Sequence, residues 1–191
     1  MSGKNFLRRL LALIWVSLIL LYPFTDLSAD DTPWLNIETK HIIIDYQSLE
    51  DLKTFNKKVV YYSARQSLKS LFSPSDSNSL TDKLKKKVDA LYERAQEILD
   101  MRKRMNKVII NISHDEKQLQ AAFYKIFKKK CSVRAWYIYE FNTIYINADD
   151  LNEGILAHEM AHAIIDHHFT VRPPEATAEI LARYVDRHLL D

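Results

Sequence analysis

Glycine occurs only twice in the 191 residues, and that scarcity restricts the architecture more than any other feature. Sandwiches and barrels of many short strands turn corners where glycine supplies backbone angles that other residues adopt at a cost. With two glycines and five prolines, the chain fits helices joined to a small sheet rather than a turn-dense β-structure. Hydrophobic residues at 47% and charged residues at 27% support a packed core, and they exclude wholesale disorder and collagen-like repeats. Successive apolar segments for several membrane-crossing helices are absent. The single cysteine, Cys131, excludes an intrachain disulfide framework and reads as a small, at least half-buried hydrophobe.

The net charge of +2 comes from the first 29 residues. They hold three of the 27 basic residues and one of the 25 acidic ones, which leaves 24 of each in the body. A neutral body counts against nucleic acid as a partner, because such proteins show a basic surplus. The lysine clusters at Lys83, Lys85–Lys87 and Lys128–Lys130 accordingly read as solvated helix faces balanced by Asp82, Asp89, Glu93 and Glu97. Residues 1–29 have the layout of an export signal: Lys4, Arg8 and Arg9, then an apolar stretch Leu10–Tyr22, then Pro23 and a polar end at Ser28-Ala29-Asp30. Leu10–Tyr22 is shorter than the roughly 20 residues of a comfortable membrane span. Cleavage after Ala29 is expected, with an uncleaved signal anchor through residues 10–22 as the alternative. The expected location is therefore periplasmic or extracellular, membrane-anchored if the signal stays uncleaved, and residues 30–191 are expected to form one domain.

Periodicity gives the coarse order of elements. His41–Tyr46 reads as a strand, 48–72 as a helix, and Ser73–Ser79 as a loop. A second helix is expected over 81–105, a strand over 107–113 and a third helix over 115–129. Arg134–Tyr139 and Thr143–Asn147 alternate aromatic and β-branched residues around Glu140-Phe141-Asn142, the pattern of a hairpin. Asp150-Leu151-Asn152-Glu153 reads as a capping box opening a helix to about His167. Pro173-Pro174 then starts a last helix reaching about Leu190.

The chemistry-bearing segment is His158-Glu159-Met160-Ala161-His162, an H-E-x-x-H pattern on the expected helix. Four residues carry an α-helix through about 400°, so His158 and His162 share a face about 6 Å apart along the axis. That spacing lets two imidazoles reach one Zn²⁺ at about 2.0–2.1 Å. Glu159 lies about 100° round from His158, where its carboxylate can accept a proton from water without binding the ion. His168, ten positions after His158, sits where the metzincin pattern has its third histidine. However, Ile165 replaces the required glycine and no methionine follows Met160, so that route is rejected. His167 and His168 then read as a polar, frayed helix end. The remaining route takes a glutamate from the last helix, Glu175 or Glu179, one turn apart.

With these motifs the chain resembles the peptidase MA-like group of gluzincin metallopeptidases. That resemblance implies a zincin-like α+β fold: a small mixed sheet, long N-terminal helices, an active-site helix and a C-terminal helix carrying the third ligand. The family's E-G-x-A-x-Y matches Glu179-Ile180-Leu181-Ala182-Arg183-Tyr184, with Ile180 in place of glycine, and makes Glu179 the third zinc ligand. Aligned instead on a thermolysin-like E-A-x-x-D, Glu175-Ala176-Thr177-Ala178-Glu179 would make Glu175 the ligand. The resemblance also implies that Trp136, Tyr137 and Tyr139 line a sheet edge for substrate. As a separate reading of the residues, one of Tyr137, Tyr139 and His167, with the choice open, is a candidate to steady an oxyanion. The expected function is an exported zinc metallopeptidase acting on peptides or proteins, with Glu159 as general base. The alternative is an inactive zincin-fold binding module of the cell envelope, motivated by the small body. A two-histidine, one-carboxylate set also serves non-haem iron.

Overall fold

Runs rich in β-branched residues make β2 (Ile42–Tyr46), β3 (Val108–Ser113) and β5 (Thr143–Asn147), and two further strands join them in one mixed sheet of five. The structure is a computed structural model and describes residues 32–61, 79–130 and 132–191. In chain order it runs β1 (Leu35–Glu38), β2 (Ile42–Tyr46), α1 (Leu49–Lys58), α2 (Leu80–Ile98), β3 (Val108–Ser113), α3 (Glu116–Phe127), β4 (Ala135–Ile138), β5 (Thr143–Asn147), a 3-10 turn (Ala148–Asp150), α4 (Glu153–His168) and α5 (Glu175–Arg187). The export-signal segment, the part of the expected first helix beyond Tyr61, the loop up to Asn78 and Cys131 lie outside the described residues. Among the described residues no helix is long and apolar enough to cross a membrane.

The sheet order is β1-β2-β3-β5-β4. Its two inner joins, β2 to β3 and β3 to β5, are parallel, and its two outer joins are antiparallel. Alternation sorts the two faces. Ile42, Ile44, Val108, Ile110, Ile112, Ile144 and Ile146 are buried in the main core with residues of α1, α2, α4 and α5. The opposite face holds a smaller cluster, in which Leu119 of α3 meets Trp136 and Ile138. The hairpin between β4 and β5 turns at Asn142, whose φ of 47° is left-handed, a region asparagine tolerates better than most residues.

Several expectations need correction. β1 is a strand that the sequence reading omitted; it is short and mostly exposed, so it carries no clear apolar alternation. The helix expected over 48–72 stops at Lys58, because Val59 is extended and fully buried in the main core. The helix expected to reach 105 stops at Ile98. There Asp100, with φ 52°, takes the left-handed position usually given to glycine, and the Asp100 and Met101 amides close back on Glu97 and Gln96. Lastly, α4 is capped by Asn152, whose Oδ1 accepts from the Ile155 amide at 2.9 Å, while Asp150 ends the 3-10 turn. Lys87 also departs from the solvated-face reading: it is buried, and its Nζ donates to the Asn56 carbonyl at 2.8 Å.

Candidate metal centre

α4 is apolar over most of its circumference. Leu156, Ala157, Met160, Ala161, Ala163, Ile164 and Ile165 are all buried, while His158, Glu159 and His162 occupy a half-buried stripe between them. α5 packs against α4 through Ala178, Ala182 and Val185. Small residues at Ala178 and Ala182 let the two helices approach closely. Glu179 follows Ala178 and stands at the margin of that stripe, facing the two histidines. Ile180, where the resembled motif has glycine, is 68% exposed, so its bulk points away from the contact.

Three donor atoms converge. His158 Nε2 and His162 Nε2 are 3.2 Å apart, and Glu179 Oε2 lies 3.6 Å from the first and 3.4 Å from the second. Donors about 2.0–2.1 Å from a tetrahedral ion are separated by roughly 3.3–3.4 Å, so the three distances match one face of such a tetrahedron. The donor set, two imidazole nitrogens and one carboxylate oxygen, therefore fits a metal ion in both chemistry and spacing. Glu175 is exposed in the first turn of α5 and is not part of this group. Glu179 Oε1 faces the other way and accepts from Arg183 Nε at 2.6 Å.

The electrostatics follow from burial and from this clustering. Burial, and then the charge of Glu179, push the Glu159 carboxyl up to about 7, while the backbone N–H of Tyr137 donates to it and opposes the shift. Burial and the neighbouring His158 lower the His162 pKa, which keeps an imidazole lone pair free for an ion. Burial alone would raise the Glu179 carboxyl. The hydrogen bond from Arg183, together with its charge and the two facing imidazoles, outweighs it and holds the carboxyl below the usual range.

The remaining residues singled out in the sequence divide between two places. Trp136 faces the smaller core, stacked on Tyr145 and edge-on to Phe123, on the side of the sheet away from α4. Tyr137 faces α4, and its hydroxyl lies 2.9 Å from His167 Nε2 and 3.3 Å from Asn142 Oδ1. Tyr139 stacks on the same imidazole and lies under the Arg172 guanidinium, 4.4 Å from its ring centre. Arg172 in turn reaches the buried Asp166 at 2.7 Å. His167 is thus held in place rather than frayed. His168 lies outside the donor group, and among the described residues its buried Nδ1 meets no hydrogen-bond partner. Arg183 was missed in the sequence, although a cation four residues after a helical carboxylate is a readable signal.

Comparison with family models, with curated proteins and with solved structures gives no match.

Proposed function

We propose that this chain is a zinc-dependent metallopeptidase of the gluzincin type on a zincin-like fold, acting on peptides or proteins after export. The observation that carries the proposal is the three-donor face formed by His158, His162 and Glu179, with Glu159 beside it on α4. These three residues would hold the ion, which when bound supplies Lewis acidity toward a carbonyl and acidifies water. Glu159 adjoins His158 and is half-buried, with the Tyr137 amide donating to its carboxylate. In the proposed reaction it takes the proton from the attacking water as the new C–O bond forms, and it returns that proton to the amine nitrogen as the C–N bond breaks. β4 is an end strand of the sheet and packs beside α4. An extended substrate would add along its outer edge. Trp136, on the far face, takes no part in this proposal.

The test uses purified protein and two variants. About one zinc per chain with cleavage of an unfolded protein substrate is expected for the wild type. Glu159→Gln should keep the zinc and lose cleavage, while His162→Ala should lose both. Cleavage unaffected in Glu159→Gln would sink the catalytic reading. Zinc retained with no cleavage of any substrate by the wild type would favour the binding module instead.

A further inference from the structure

We infer that Arg183 is a positioning residue that restricts Glu179 to a single donor oxygen at the metal centre. This rests on the metal-centre reading above and extends it to a residue that supplies no donor atom of its own.

The two oxygens of Glu179 have different surroundings. Oε2 faces the nitrogens of His162 and His158, at 3.4 and 3.6 Å. Oε1 is engaged by Arg183 Nε at 2.6 Å, a charge-assisted hydrogen bond of the short kind. A carboxylate free to rotate can offer both oxygens to one cation, and the second oxygen then occupies a coordination position that a water must fill in a hydrolytic site. Occupying Oε1 from outside fixes the plane of the carboxylate and leaves only Oε2 directed inward. Both residues lie on α5, four positions apart, so the contact is built within one helix and moves with it. An exposed pair at this spacing adds little to folding stability, and the Arg183 side chain is 64% exposed. Its removal should therefore alter the behaviour of the carboxylate and leave the fold intact. The geometry also distinguishes arginine from a general positive charge, because Nε donates along a fixed direction toward Oε1.

Cobalt(II) is a suitable probe, since a four-coordinate cobalt ion absorbs visible light far more strongly than a five- or six-coordinate one. The full chain, loaded with cobalt, is compared with Arg183→Met and Arg183→Lys, and zinc affinity is measured on each by competition with a chelator. Arg183→Gln serves as a second neutral variant should Arg183→Met misfold, with far-UV circular dichroism as the check. The wild type is expected to give the strong four-coordinate band. Arg183→Met should give a weaker band and bind zinc about tenfold less tightly. Arg183→Lys should recover part of both. Identical cobalt spectra and zinc affinities in wild type and Arg183→Met would overturn the role assigned to Arg183. A wild-type protein that takes up neither cobalt nor zinc overturns the metal-centre reading itself, and this outcome is visible before any variant is compared.

Discussion

The Tyr137 hydroxyl lies 2.9 Å from His167 Nε2 and so ties the end strand β4 to the last turn of α4. The same strand donates its Tyr137 amide to Glu159. One tyrosine therefore fixes the distance between the sheet and the helix at two levels, about two turns of α4 apart. Tyr137→Phe removes the hydroxyl contacts to His167 and Asn142 while keeping the ring. A loss of about 1–2 kcal/mol in stability is expected, from a neutral hydrogen bond removed at a half-buried site. Urea unfolding of the variant against wild type measures it, and a cycle with His167→Ala isolates the pair.

Added zinc should raise the stability of the folded protein, since an unfolded chain cannot assemble the three-donor face. At a free zinc concentration one hundred times the dissociation constant, the gain is about 2.7 kcal/mol. The gain should vanish in His162→Ala and Glu179→Ala and persist in Glu175→Ala, because Glu175 stands apart from the donor group. Unfolding midpoints with zinc and with chelator separate these cases.

The helix contact behind Glu179 is also open to test. Ala182 is fully buried in the main core, on the stripe that α5 presents to α4. Ala182→Leu would force the helices apart, at a cost of about 1–3 kcal/mol. Glu179 would then move away from the histidines, and bound zinc should fall below one per chain. Unchanged zinc content together with a lowered thermal midpoint would separate the packing effect from the effect on the donor group.

A fourth expectation concerns pH at a place remote from the metal centre. His114 Nδ1 lies 2.6 Å from Oδ1 of the buried Asp51, whose other oxygen accepts from the Ser48 hydroxyl at 2.7 Å. The Asp51 hydrogen bond and charge raise the His114 pKa above 6.5. Since the folded value is the higher one, the pair stabilises fully below the unfolded value of about 6.5, and its contribution is lost as pH rises through the raised folded value. The stability gap between wild type and His114→Gln should therefore be widest in mild acid and close in alkali. A gap that is constant with pH would rule out this ion pair as its source.

The legible parts of the fold were those with a strong period or a dense local motif. β2, β3, β5 and α4 announce themselves through isoleucine and valine alternation and through an apolar helix interrupted by His158, Glu159 and His162. What escaped was decided by contacts distant in sequence or by unusual backbone residues. β1 exists because it pairs with β2, and α2 ends because Asp100 adopts a conformation for which sequence offers no glycine. Trp136 and Tyr137 looked equivalent as neighbours in an aromatic strand. Alternation sends them to opposite faces, and which face met α4 depended on the position of α3. The choice between Glu175 and Glu179 also needed the docking of two helices, since both carboxylates sit on one face of α5.

The parallel join that sets Ile44 of β2 opposite Ile110 of β3 bears on how the chain reaches this arrangement. Contacts between segments so distant in sequence require closure of a long loop before any pairing is gained, and such topologies fold slowly. By contrast, β4, β5, α4 and α5 follow one another with short connections, so their contacts with one another close shorter loops. The rate of folding is thus expected to be governed by strands that carry no chemistry. Destabilising changes in the α4–α5 pair, which lies outside that slow step, would then appear mainly as faster unfolding.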